Sequence, residues 1–308
     1  MEAQLYRSLY RHVMSVAHDR RRRRRARQQF HDRTIALVYL WSVLHDRPVS
    51  WACDLSNWHM ETSSSSPALE LPLELPSDST MSRRLRTVGV LQLIERVIAA
   101  AAAELFPVPL VKQLDSKPLL VGAYSKDQDA HRGRVAAGQM ARGYRLHLLS
   151  HGRAPGGPWH IGPMNDHDST HAPALLTQLS GGGYVVADNA YDANELHELA
   201  AANNHQLLAP ARPVNRGVRD AHHNGVARLR ALDMLDSPLE HACGLPSDFG
   251  RALYNSREAI ESCFGELAIM GLHSLPAWAR GPRRVALWTG GKILLYLCRL
   301  AKKQRLMA

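Results

Sequence analysis

The sequence predicts a mixed α/β domain preceded by a smaller helical region, and three observations lead there. Apolar residues recur at helical spacing up to about residue 105. Pro107 and Pro109 then punctuate the chain, and beyond them short extended runs first follow one another and then alternate with helices. The boundary falls near residue 108, giving a helical region over 1–108 and an α/β domain over 109–308. With 308 residues, 45% hydrophobic and 21% charged, the chain can bury a core without staples, which excludes a disordered tail protein. No run approaches the ~20 apolar residues of a membrane span.

Residues 4–17 and 30–45 read as helices, the second from the spacing of Phe30, Ile35, Leu37, Val38, Leu40, Trp41 and Leu44. Between them lies the unbroken run Arg20 to Arg25, either a solvated face or an arm for phosphates, with Arg22 and Arg23 as candidate DNA contacts. The Ser- and Pro-rich stretch 63–80 is a connector. Ser77 or Ser79 then caps a short helix carrying Met81, Arg83, Arg84, Leu85 and Arg86. A Val88-Gly89-Val90 turn and a long apolar helix over 91–105 follow. The pair has the outline of a helix-turn-helix, with Arg83, Arg84 and Arg86 as candidate DNA contacts, although many bundles share that outline.

Strands are expected at 111–115, 118–123, 143–150, 159–164, 183–188 and 205–210, with helices on either side of the fifth. Residues 211–250 show no clear period. A helix over about 256–270 places Ile260, Cys263, Phe264, Leu267 and Met270 on its core face, and a basic amphipathic helix closes the chain.

Charge is unevenly spread. Residues 1–33 hold ten arginines against three acids, residues 268–308 hold eight Lys or Arg and no acid, and the centre is net acidic, within an overall +10. Basic flanks suit a polyanion, and central carboxylates suit a metal. The four cysteines, Cys53, Cys243, Cys263 and Cys298, form no CxxC pair, so neither a disulfide framework nor structural zinc is expected. No secretory leader is legible, which places the protein in the cytoplasm, on the nucleoid, with no membrane partner.

Three acids stand where a buried sheet would not normally carry charge. Asp115 ends one extended run, Asp188 ends the apolar strand Tyr184-Val185-Val186-Ala187, and Glu261 sits beside core residue Ile260. A carboxylate at the carboxyl end of a central strand points into the crevice where α/β sheets bind ligands. Oxygen ligands from three separate elements are how Mg²⁺ is commonly held. At about 100° per residue, Tyr254, Arg257 and Glu261 share one helix face, so Arg257 is placed to hold a phosphate and orient the carboxylate, or to form a plain i, i+4 pair. Lys117 is a candidate phosphate contact beside Asp115. Asp127, Asp129, Asp166 and Asp168 are secondary candidates in loops.

Asp115 in LDSKPL, Asp188 in VVADNAYD and Tyr254-x-x-Arg257-x-x-x-Glu261 in YNSREAIESCFGEL resemble the three catalytic motifs of the DDE transposases of bacterial insertion sequences. GAYSKDQDAHRGR, ARGYRLHLL, PMNDHDST and ALLTQL add to the likeness, which covers about residues 77–300. The resemblance implies a ribonuclease H-like mixed sheet flanked by helices. It also implies two Mg²⁺ ions, replaceable by Mn²⁺, held by Asp115, Asp188 and Glu261, with Tyr254 and Arg257 against DNA. Water would cut at the element's ends, and the freed 3′ hydroxyl would attack a phosphodiester in double-stranded target DNA or on the opposite strand, in a synaptic homodimer. The family pattern continues with a Lys seven residues after the Glu, where this chain has Ala268, so either Lys292 or Arg280 replaces that contact or end binding is weaker. Two other readings stand beside this one: a non-catalytic DNA-binding descendant and another metal nuclease of the same fold.

Overall fold

The computed structural model describes residues 2–17, 29–58, 74–106, 109–136, 138–212, 224–236 and 248–307. Arg22 and Arg23, with the rest of the arginine run, lie outside the described residues, as do residues 63–73 of the connector and Cys243. The chain forms two compact units, Met1–Leu105 with Leu287–Ala308, and Phe106–Ala286.

The first unit holds α1 (Glu2–Ala17), α2 (Asp32–Leu44), the short α3 (Val49–Ala52), α4 (Asp78–Arg84) and α5 (Val88–Leu105), with most of the C-terminal helix Pro282–Met307. Every residue of α2 from Ile35 to Val43 is buried, so this helix is the unit's axis. Around it α1 contributes Leu5, Tyr6, Leu9 and Val13, and α5 contributes Val90, Leu93, Ile94, Val97 and Ile98. Trp41 stacks on Trp58 with ring centroids 4.8 Å apart and meets the edge of Tyr6 at 5.0 Å. The indole N–H groups of Trp41 and Trp58 donate to the carbonyls of Asn57 and Ala52, so neither ring buries an unpaired donor.

Two expectations change here. The sequence pattern makes the C-terminal helix amphipathic and part of the α/β domain, yet its residues from Leu287 onward group with the N-terminal helices, and all of 288–298 is buried. Gly291 provides the thin side that this burial needs: a Cβ there would lie 2.9 Å from a Val43 methyl of α2. Val88-Gly89-Val90 is the first turn of α5, and the joint with α4 is Leu85–Thr87. Ser77 does cap α4, its Oγ accepting from the Thr80 amide.

The second unit holds β1 (Val111–Leu120), β2 (His131–Ala136), β3 (Gln139–Ser150), β4 (Trp159–Pro163), α6 (Asp168–Leu176), β5 (Gly183–Ala187), α7 (Asn194–Ala202), β6 (His205–Leu208), α8 (Val226–Asp236), α9 (Phe249–Asn255) and α10 (Glu258–Ile269). The sheet order is β2-β3-β1-β5-β6, with β4 also paired to β3. Pairs among β1 to β4 are antiparallel, and β1/β5 and β5/β6 are parallel. This mixed sheet is the ribonuclease H-like arrangement. Along β1 and β5 side chains alternate between two faces. Leu114, Val185 and Ala187 pack on α6 and α7, whereas Val186 packs with Leu208 under α8 and α9.

The expected strands 111–115 and 118–123 are one strand, β1. Past Ala187, β5 no longer borders β1, and on such an edge Pro118, which has no N–H to donate, is tolerated. Asp115 therefore lies mid-strand.

Candidate active site

The parallel register pairs Leu114 with Ala187, so the next residue on each strand is one of the two aspartates, Asp115 and Asp188. Alternation turns Asp115 to the sheet face opposite Leu114, the face that α10 covers. Asp188 is the first residue beyond β5. Its Oδ1 accepts the Ala190 amide at 2.9 Å, capping a single 3₁₀ turn over Asn189–Tyr191.

The helix expected over about 256–270 is α10, and the separate short helix α9 precedes it, with a joint at Ser256 and Arg257 that takes Tyr254 off the helix of Arg257 and Glu261. Tyr254 belongs to the last turn of α9, while Arg257 stands immediately before α10. Within α10 the expected core face holds, with Ile260, Cys263, Phe264, Leu267 and Met270 all buried. Arg257 does more than pair along its helix. Its Nη2 donates to Glu261 Oε1 at 2.9 Å and its Nη1 to Asp115 Oδ2 at 3.3 Å, so one guanidinium joins two of the candidate acids. The Glu261 side chain is 60% exposed against 21% for Asp115, which puts Glu261 at the rim and Asp115 at the floor.

Burial, with the nearby charges of Asp188 and Asp168 adding to it, pushes the Asp115 carboxyl up to about 7 despite the Ser116 amide and Arg257. Burial, and then Asp168, also raise Asp188. Asp168, at the start of α6, is therefore a fourth acid of this neighbourhood. It is paired with Arg145 at 3.2 Å, and Arg145 also reaches Ser116 Oγ. The Tyr191 hydroxyl is buried with no hydrogen-bond partner among the described residues, and Asp168, Asp115 and Asp188 all oppose its ionisation. Carboxylates close enough to raise one another's proton affinity are an oxygen donor set that suits a hard divalent cation. Among the described residues no three His, Cys, Asp or Glu side chains already converge as a metal cage. The cation between Asp115 and Glu261 is Arg257.

Other expected contacts are distributed as follows. Lys117 is half-buried on the Asp115 face of β1, its Nζ 5.8 Å from the centroid of the Phe264 ring. Arg84 is committed internally, to Asp32 at 2.5 Å and to the Phe30 carbonyl, whereas Arg83 and Arg86 are exposed. Lys292 cannot stand in for the lysine missing at Ala268, because it is buried in the helical unit against Asp46. Arg280 is exposed. Asp127 is a loop organiser: its carboxylate accepts from Tyr144 Oη, at 2.8 Å, and from the Gly281 amide. Asp166 pairs with His171.

The support of the Asp188 turn is absent from the sequence pattern. Asp192, Arg228 and His197 are buried together, and Arg212 joins them from a stretch without periodicity. Asp192 falls inside the VVADNAYD motif, which is the one local signal the network leaves.

A sequence profile of the transposase DDE domain matches residues 110–298, well over half of the chain. The chain belongs to this family. The match covers both strands and the helix that carry Asp115, Asp188 and Glu261. No curated protein and no solved structure matches the chain. Transposase DDE domains act on DNA and use divalent metal ions. Among the described residues no helix of this one is long and apolar enough to cross a membrane.

Proposed function

We propose that the protein is an insertion-sequence transposase that cuts double-stranded DNA at the ends of its element and transfers the freed 3′ hydroxyl to target DNA. The observation that carries this reading is the β1/β5 register, which sets Asp115 beside Asp188 in a transposase DDE domain while Arg257 links Asp115 to Glu261. Asp115, Asp188 and Glu261 would hold two Mg²⁺ ions, with Mn²⁺ as substitute, which supply Lewis-acid activation of the attacking oxygen and stabilise the departing 3′ oxygen.

The chain's own residues perform the rest. Asp115 and Asp188 are fixed by strand register and by the Ser116 and Ala190 amides, so little reorganisation accompanies charge development on the phosphate. Arg257 orients Glu261 and, when DNA arrives, exchanges a carboxylate oxygen for a phosphate oxygen of like charge. Lys117, Arg83 and Arg86, with Arg22 and Arg23, contribute cationic contacts to the DNA backbone; Tyr254 flanks it. Two copies hold the two ends.

The test is a gel assay of purified protein on labelled DNA carrying the element's flanking ends, with Mg²⁺, Mn²⁺ or chelator. Metal-dependent 3′ hydroxyl ends together with joined products support the transposase. Cleavage without joining identifies a nuclease of the same fold, and binding without cleavage a regulator.

A further inference from the structure

Asp188 leads into a single 3₁₀ turn of three residues, a conformation too short to hold itself. Three bonds belong to the turn: Ala190 N–H to Asp188 Oδ1, Tyr191 N–H to the Asp188 carbonyl at 3.2 Å, and Asp192 N–H to the Asn189 carbonyl at 3.3 Å. The carbonyls of Asn189 and Ala190 are also gripped by a side chain from outside it. Both accept from the guanidinium of Arg212, through Nε at 3.1 Å and Nη2 at 2.5 Å. A planar fork on two successive carbonyls fixes the turn's orientation as well as its position.

Arg212 is itself anchored. Its backbone N–H donates to Asp192 Oδ2 at 3.0 Å. Asp192 is gripped by Arg228, Nε to Oδ1 at 2.6 Å and Nη2 to Oδ2 at 2.7 Å, with His197 Nε2 3.5 Å from Oδ1 and Asn224 closing on Arg228 from behind. Burial works against the ionised Asp192, yet hydrogen bonds from Arg228 and the Arg212 amide, with His197 close by, hold its carboxyl well below the ordinary range. A fully buried ion pair is weak as a source of stability and strong as a specifier of geometry. Here the geometry specified is that of the segment bearing Arg212.

We infer that Arg212 is a positioning residue for Asp188, a clamp seated on the buried Asp192–Arg228 pair that fixes the turn and thereby aims the Asp188 carboxylate. The clamp rests on the reading of Asp188 as a residue of the active site. Arg212 also lies close enough for its charge to favour ionised Asp188. Asp192 and Arg228 are too deeply buried to test alone, since loss of either leaves the other charge uncompensated. The Arg212 guanidinium reaches the surface, and water can replace it on both carbonyls.

The experiment compares wild type, Arg212→Ala, Arg212→Lys and Asp188→Asn in the full chain. It reads Mn²⁺ binding by electron paramagnetic resonance without DNA, DNA affinity in chelator, thermal midpoint, and single-turnover cleavage. Arg212→Ala is expected to weaken Mn²⁺ binding severalfold and slow cleavage about tenfold or more, with DNA affinity within about twofold and the midpoint nearly unchanged. Arg212→Lys keeps the charge and one of the two bonds, so it recovers only part of both losses. Unaltered Mn²⁺ binding in Arg212→Ala overturns the clamp, as does a loss of DNA affinity matching the loss of rate, which would make Arg212 a phosphate contact. Full recovery in Arg212→Lys would reduce its role to charge and overturn the geometric one. Normal cleavage by Asp188→Asn would sink the active-site reading itself, whereas an inactive Asp188→Asn beside a normal Arg212→Ala would sink the clamp alone.

Discussion

At the scale of single residues the site is governed by what burial does to ionisation. The folded protein holds the Asp115 proton up to about pH 7, far more tightly than the unfolded chain, whose carboxyl titrates near 4. The ionised form therefore strains the metal-free fold above pH 7, and the strain is relieved as pH falls from about 7 towards 4. Asp115→Asn is expected to raise the thermal midpoint of metal-free protein, by more at pH 8 than at pH 5, and Mn²⁺ affinity of the wild type should climb between about pH 6 and 8. A midpoint shift independent of pH would contradict the assignment. His147 works in the opposite sense. It is fully buried with no hydrogen bond to either ring nitrogen, and burial, with the charges of His171 and Arg145, pushes it down to about 3. Below about pH 6.5 the unfolded chain takes up a proton that the fold refuses, so stability is lost from 6.5 downward at about 1.4 kcal/mol per pH unit. His147→Phe should therefore gain stability relative to wild type progressively as pH falls below 6.5, which thermal melts of the two proteins from pH 7 to 4 will show.

Much of the site is legible in the sequence at this scale, for identifiable reasons. Asp115, Asp188 and Glu261 stand out because each is a charge beside apolar neighbours, and the i, i+4 spacing of Arg257 and Glu261 survives the joint between α9 and α10. The Arg257–Asp115 contact spans 142 residues and no local pattern reports it. The Asp192 network is invisible for the same reason, since its bonds span 20 and 36 residues and one partner lies in a stretch without period.

At the scale of elements, periodicity reveals helices and strands whose faces differ and hides those whose faces do not. β2 reads HRGRVA; it is a charged edge strand with Arg132 and Arg134 exposed, and such strands carry no apolar alternation. α8 buries Arg228 beside Ala231 and Leu232, which blurs its pattern. The lysines and arginines of the C-terminal helix suggest a wet face, while burial over 288–298 extends around the helix. The joint before Arg257 depends on close packing of α9 on α8, where a Cβ on Gly250 would meet the Met234 carbonyl at 1.9 Å. Gly250→Ala is expected to destabilise the protein by roughly 2 kcal/mol or more, read as a lower denaturation midpoint. An unchanged midpoint would show that α9 is free to shift.

At the scale of the whole molecule, the basic flanks and acidic centre remain the clearest signature of a DNA-handling protein, and the structure changes how to test it. Deleting residues 1–33 would remove Leu5, Tyr6, Leu9 and Val13 from the helical core, so the loss of affinity would report unfolding. Replacing Arg20 to Arg25 with glutamine avoids this. Each phosphate that the run no longer neutralises should flatten the dependence of log affinity on log salt by about 0.9, and an unchanged slope would remove the arginine run from the interface.

The central claim is that Asp115, Asp188 and Glu261 act as one site. The most direct measurement is single-turnover cleavage of element-end DNA by Asp115→Asn, Asp188→Asn and Glu261→Gln beside wild type, with DNA affinity measured on the same preparations. The account predicts that each change lowers the rate by roughly a thousandfold or more while DNA binding persists. Cleavage at the wild-type rate by any of the three would contradict it.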